Sequence, residues 1–107
     1  MQVMSGTEQE QPLSPLVTTI DGLLPEGKRL IHPLVVLIED DDGEFLVTEL
    51  NFYMHAVGTT IPEAIAEFKR ILSDELDVLT TDEDKLGPRL RAQLHYLRKM
   101  IKVASVE

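Results

Sequence analysis

The chain has 107 residues, no cysteine and a formal net charge of −9. That length fits one domain with one modest core. The missing cysteines exclude disulfides, thiolate metal sites and cysteine nucleophiles, and an acidic surface repels phosphate backbones while attracting basic partners.

A cysteine-free chain suits a reducing, cytoplasmic setting. No basic region followed by an apolar run opens the sequence, so no signal peptide is expected. The longest apolar run, Leu34 to Ile38, falls far short of the roughly 20 residues that cross a bilayer. Charge is unevenly spread. Between Pro88 and Val106 stand Arg89, Arg91, Arg98, Lys99 and Lys102, with no acidic residue among them.

Residues 1–15 are polar, carry Pro12 and Pro15, show no periodicity and read as a disordered tail. Leu16 to Ile20 can add a short strand, and Asp21 to Gly27 ("DGLLPEG") has loop chemistry. Arg29 to Glu39 predicts a strand. Its continuous apolar run, rich in β-branched residues, predicts cover on both faces. Pro33 has no N–H to give a ladder, which places it near the strand's start or on an unpaired edge. Asp42-Gly43 predicts a tight hairpin, since both residues tolerate positive φ. Phe45 to Leu50 is the return strand, with Phe45, Val47 and Glu49 on one side and Leu46, Thr48 and Leu50 on the other. Asn51 suits a bend, and Phe52 to Val57 predicts a third strand.

Gly58 ends that strand, and Thr60, Ile61, Pro62 and Glu63 fit a capping box. The Thr60 hydroxyl would accept the Glu63 N–H, and the Glu63 carboxylate would return to the Thr60 N–H. Pro62 suits the first turn. Ile61, Ala64, Ile65, Phe68, Ile71, Leu72 and Leu76 then form one apolar stripe. Glu63, Glu67, Arg70, Ser73 and Asp74 lie opposite, as expected of a helix laid on a sheet. Asp77 to Thr81 is β-prone and is a candidate fourth strand. An acidic turn leads to Pro88, which opens a second helix. On it Leu90, Leu94, Leu97 and Ile101 recur at spacings of 4, 3 and 4, an apolar seam that suits either this chain's own sheet or another copy of the chain.

No catalytic constellation stands out. His32, His55 and His95 lack partners at ligand spacing, no nucleophile elbow surrounds a serine, and the run Glu39 to Glu44 lacks the alternate spacing of a calcium loop. No cofactor or metal is expected. The carboxylates of that run, Glu39, Asp40, Asp41, Asp42 and Glu44, are the candidate partner-binding residues, suited to electrostatic docking. Arg91, Arg98 and Lys102 share a helix face and could touch phosphates. The acidity of the whole chain and the lack of interleaved aromatics favour solvation or internal pairing instead.

The stretch "VVLIEDDDGEFLVTELNFYMHAVGTTIPEAIAEFKRIL", Val35 to Leu72, resembles the HicB-like domain, the antitoxin component of bacterial toxin–antitoxin pairs. Asp42-Gly43 matches that family's acidic hairpin, and Gly58, Thr60 and Glu63-Ala64 match its G-x-T-x-x-E-A approach to a helix. Two features depart from it. Asn51-Phe52-Tyr53 stands where the family has a Pro-Gly-Cys-like turn, and a single basic helix stands where a DNA-binding module often follows. The resemblance implies a cytoplasmic, non-enzymatic binding protein that neutralises a small basic RNA-cleaving toxin.

The expected fold is α+β. A three- or four-stranded, mainly antiparallel sheet in β-β-β-α-β order is packed by one helix, with residues 16–81 as core and residues 82–107 as an added basic helix. The alternatives are a homo-oligomer built on Leu90, Leu94, Leu97 and Ile101, or a weak nucleic-acid binder using the basic helix.

Overall fold

The computed structural model describes residues 15–104. The tail expected over residues 1–15 lies, but for Pro15, outside them. Local chemistry sets the central hairpin. Strand β2 (Lys28–Asp41) turns into β3 (Glu44–Glu49) through two residues, with Asp41 opposite Glu44. Asp42 and Gly43 have φ of 57° and 89°, the doubly positive geometry whose twist matches that of paired strands.

Strand β1 (Leu16–Leu24) lies antiparallel along the other edge of β2, and β4 (His55–Gly58) lies antiparallel to β3. A short β5 (Ile101–Val103) returns to β2, pairing Ile101 with Leu30 and Val103 with Lys28. Among the described residues all pairings are antiparallel, and the fold is α+β. The expected loop at Asp21 is instead strand as far as Leu24. A bulge absorbs the mismatch, since Ile20 faces Leu34 while Gly22 faces Leu30. Pro33 sits in that bulge, in mid-strand rather than near the start. It also lies in the gap between the residues of β2 that pair β5 and those that pair β3. Its missing N–H therefore leaves no ladder bond unmade.

The third strand is shorter than Phe52–Val57. Met54 O accepts from Glu49 N at 2.8 Å and Tyr53 takes φ of 64°, so Asn51–Tyr53 form a turn and only His55–Gly58 is strand.

Helix α1 runs over Ile61–Thr81. The expected strand at Asp77–Thr81 is instead its last turns. Leu79, buried with Leu72 and Leu76, continues the helical stripe, and tertiary packing overrides the local β preference of Val78, Thr80 and Thr81. Phe68 is fully buried at the centre of the stripe, a contribution of about 1.5–3 kcal/mol. Ser73, expected on the solvated side, is fully buried as well.

The start of α1 explains the G-x-T segment. Thr60 Oγ1 accepts from Glu63 N at 3.1 Å. The return bond goes one residue further back than expected: the Glu63 carboxylate accepts from Thr59 N at 3.1 Å and from the Thr59 hydroxyl. Gly58 is required by space. A Cβ there would lie 2.4 Å from Ala64 N and 2.8 Å from Ala64 Cα, so the end of β4 runs against the helix backbone itself.

After a 3₁₀ turn (Glu83–Lys85), helix α2 covers Pro88–Met100, with Pro88 in its first turn. Leu94 and Leu97 on α2, and Ile101 on β5, join the same apolar cluster as Phe68 and Leu72. Both helices therefore cover one face of the sheet. Among the described residues no helix is long and apolar enough to cross a membrane.

Candidate functional site

The β2–β3 hairpin carries the five carboxylates singled out by sequence. Asp40, Asp41, Asp42 and Glu44 are exposed and Glu39 is half-buried. The alternation of β2 splits them. Glu39 and Asp41 project on the face opposite the helices, Asp40 projects on the helix side beyond the cover of the core, and Asp42 caps the turn. Among the described residues none of the five lies within ion-pair distance of a lysine, arginine or histidine. Several carboxylates elsewhere are engaged, although Asp21, Asp82 and Asp84 are exposed as well. Glu83 takes both arms of Arg98 at 2.9 Å, Arg70 bridges Glu67 and Asp74, and Asp77 meets Lys28 at 3.0 Å. The Arg98 and Arg70 guanidinium groups hold the Glu83 and Glu67 carboxyls below their ordinary range. The hairpin is thus a place where negative charge meets solvent without an internal counter-charge.

Two buried polar clusters were not singled out from the sequence. The Glu49 side chain is fully buried, and its two oxygens accept from Asn51 N at 2.8 Å and Phe52 N at 2.9 Å. Asn51 Nδ2 donates to Tyr96 Oη at 3.1 Å, and the Tyr96 and Phe52 rings lie 5.2 Å apart. Burial, with Glu49 close by, pushes the Tyr96 phenol up to about 12. Both carboxylate oxygens are committed to the backbone, so this cluster closes the β3–β4 turn onto α2 rather than offering an acid or base. Its signal was in the alternation of β3, where Glu49 shares a face with Phe45 and Val47.

The second cluster centres on Lys28, which is 4% exposed. Its ammonium donates to Ser73 Oγ at 2.9 Å and Asp77 Oδ2 at 3.0 Å, and reaches Glu26 Oε1 at 3.4 Å. Ser73 in turn donates to Pro25 O at 3.2 Å. A lysine beside a serine can mark a nucleophile and its base. Here the ammonium is ion-paired and donates to the serine, which spends its proton on a carbonyl. Its job is to tie the β1–β2 turn to α1. The even-numbered, inward alternation of β2 reaches back to Lys28 and is the signal for its burial.

The remaining sequence candidates separate in space. His32, His55 and His95 are all exposed, and among the described residues no three potential ligands come together to hold a metal. The expected basic face is not continuous: Lys102 lies on β5 beyond the helix end at Met100, while on the helix Arg98 is paired with Glu83, Arg91 Nη2 donates to Leu86 O at 2.7 Å, and Arg89 lies over the Phe52 ring at 5.9 Å from its centroid. In the apolar seam, Leu94, Leu97 and Ile101 are buried within this chain and Leu90 alone is exposed. An open groove of about 450 Å³ runs between β4 and α1, past His55, Val57, Glu63, Glu67 and Ile71. Comparison with protein families, curated proteins and solved structures gives no match.

Proposed function

We propose that the chain is a non-catalytic binding protein of the HicB-like type. It holds a small basic protein, by that resemblance an RNA-cleaving toxin, and blocks its RNA-binding face. The observation that carries this reading is the hairpin tip, where clustered carboxylates stand on a two-stranded ribbon without counter-ions among the described residues. A basic partner gains there both steering on approach and charge complementarity once docked. The positions that carry the resemblance have structural reasons in this chain: the Asp42-Gly43 turn, the tight Gly58 passage and the Thr60–Glu63 helix start.

The commitment of Arg89, Arg91 and Arg98 to groups within the chain weighs against a phosphate-binding helix. The burial of Leu94, Leu97 and Ile101 weighs against that seam as a contact between copies.

The test uses the product of any short basic reading frame beside this chain's own. Co-purification, and loss of its RNA cleavage on adding the chain in equal amount, is the expected result. The double substitution Asp40→Lys with Asp42→Lys should slow association roughly tenfold or more at low salt and flatten its salt dependence. An unchanged rate, or binding indifferent to salt, would refute the docking role of the hairpin.

A further inference from the structure

The apolar run of β2 predicts a strand covered on both faces, yet one face is bare. Helices cover the even-numbered side, where Leu34, Val36 and Ile38 are buried. On the odd-numbered side Ile31 and Val35 are 41% and 48% exposed, with Pro33 between them and Leu37 after them. The patch continues across the sheet. Val17 of β1 faces Leu37, and Leu46 of β3 sits between Glu39 of β2 and Val57 of β4. Val17 and Val57 are 61% and 44% exposed. At about 3.3 Å per residue and 4.8 Å between strands, the four-stranded face offers roughly 500 Å² in projection. These apolar side chains cover somewhat under half of it, with Thr19, Thr48 and His55 on the same face, and the whole face approaches the roughly 800 Å² per partner of a standard interface.

The charges that frame the patch say what covers it. Along the bare side β2 reads Arg29, then, past the exposed bulge at residues 31–33, Val35, Leu37, Glu39, Asp41. One end is basic, the middle apolar and the other end acidic. Lys102 of β5 stands opposite Arg29 in register, and Glu44 of β3 opposite Asp41, so each end is doubled. Among the described residues neither Arg29 nor Lys102 forms an ion pair. A two-fold axis through the region of Val35 lays the basic end of one copy over the acidic end of the other, and the reverse contact follows by symmetry. A basic partner would meet Arg29 and Lys102 with like charge, and an acidic one would meet Glu39 and Asp41. A second copy of this chain complements both ends.

We infer that the bare face of the sheet is a homodimer interface, in which two sheets pack face to face with β2 strands running in opposite directions. Aligned sheets pack about 10 Å apart and cross at about 30°, which keeps the Val35 regions central. This interface does not rest on the toxin-binding reading, and it uses Glu39 and Asp41 while leaving Asp40 and Asp42 to another partner.

The experiment is a charge-swap pair followed by sedimentation equilibrium on the full chain. The wild type should sediment as a dimer. Arg29→Glu with Lys102→Glu makes both ends acidic, and Glu39→Arg with Asp41→Arg makes both basic. Each variant alone should dimerise at least about tenfold more weakly, while an equimolar mixture should restore a mixed dimer. Val35→Glu, at a half-exposed position, should give a monomer with unchanged circular dichroism. A monomeric wild type overturns the inference. So does a dimer that survives Val35→Glu, which would place the contact elsewhere, at Leu90 or the β4 groove. Failure of the two folded variants to pair with each other overturns it as well.

Discussion

Gly58→Ala tests the geometry on which the helix start depends. The added methyl would meet Ala64 N at 2.4 Å, Ala64 Cα at 2.8 Å and Glu63 C at 2.9 Å. All three are backbone atoms, so no rotamer change relieves the contact, and α1 must shift against β4 by about an ångström or more to reach ordinary contact. Ala64 and Phe68, both fully buried on that helix, would move with it. Overpacking of this kind costs about 1–3 kcal/mol, and the unyielding neighbours place this case near the upper end. For a domain of this size that lowers the melting temperature by roughly 10 °C or more. Urea denaturation followed by circular dichroism measures the loss of stability, and a thermal melt the change in melting temperature. Gly87→Ala is the control, because a Cβ there meets nothing within 4 Å. As a cap residue without a side-chain bond, it should cost under about 1 kcal/mol. Equal midpoints for Gly58→Ala and wild type would mean that strand and helix are not in contact at this point, and the spatial account of the G-x-T segment would fall.

Removing the buried acceptor with Glu49→Ala leaves the Asn51 and Phe52 amides without their partner and should destabilise by about 1–3 kcal/mol. Glu49→Gln keeps one acceptor oxygen and should recover part of that loss in the same denaturation assay, whereas equal losses would argue for simple packing. Acid should weaken the fold through Glu63, Glu67 and Glu83. Each is held below its ordinary value of 4.5, by Thr59, Arg70 and Arg98 respectively. A depressed folded-state value gives stability that is present above the unfolded value and lost as pH falls through the folded one. The urea midpoint should therefore be steady above about pH 5 and fall below it, with a shallower fall in Glu63→Gln and Glu83→Gln. Identical pH profiles in these variants and wild type would exclude the three carboxylates as the source.

Much of the fold was legible where local chemistry and tertiary need agree. Asp42-Gly43 admits few alternatives to a tight turn, and Thr60-Ile61-Pro62-Glu63 carries its cap within four residues. The Asp77–Thr81 segment shows the opposite case. Its β-branched residues favour a strand in isolation, but Leu79 completes a stripe with Leu72 and Leu76 that only a helix can bury. Asn51 reads correctly as a bend, but Phe52–Met54 misreads as strand because the turn depends on the carboxylate of Glu49, a partner that composition does not reveal. At the candidate site the hairpin acids were readable because their chemistry is exposed and contiguous. The bare face was not. A continuous apolar run says that both sides want cover, and nothing in its spacing says whether the same chain supplies it. The Leu90–Ile101 seam posed the same question, and there this chain's own core takes three of the four residues.

The closure of β2 by β5 sets an order of assembly. The β2–β3 hairpin joins neighbours in sequence, whereas Ile101–Val103 must find Lys28–Leu30 across nearly the whole length of the described chain. Such a distant contact carries a large loop-closure cost and follows the local ones. During synthesis the edge of β2 at Lys28–Leu30 thus stays unpaired until β5 leaves the ribosome. Deleting those three residues should leave a chain that collapses early yet never locks.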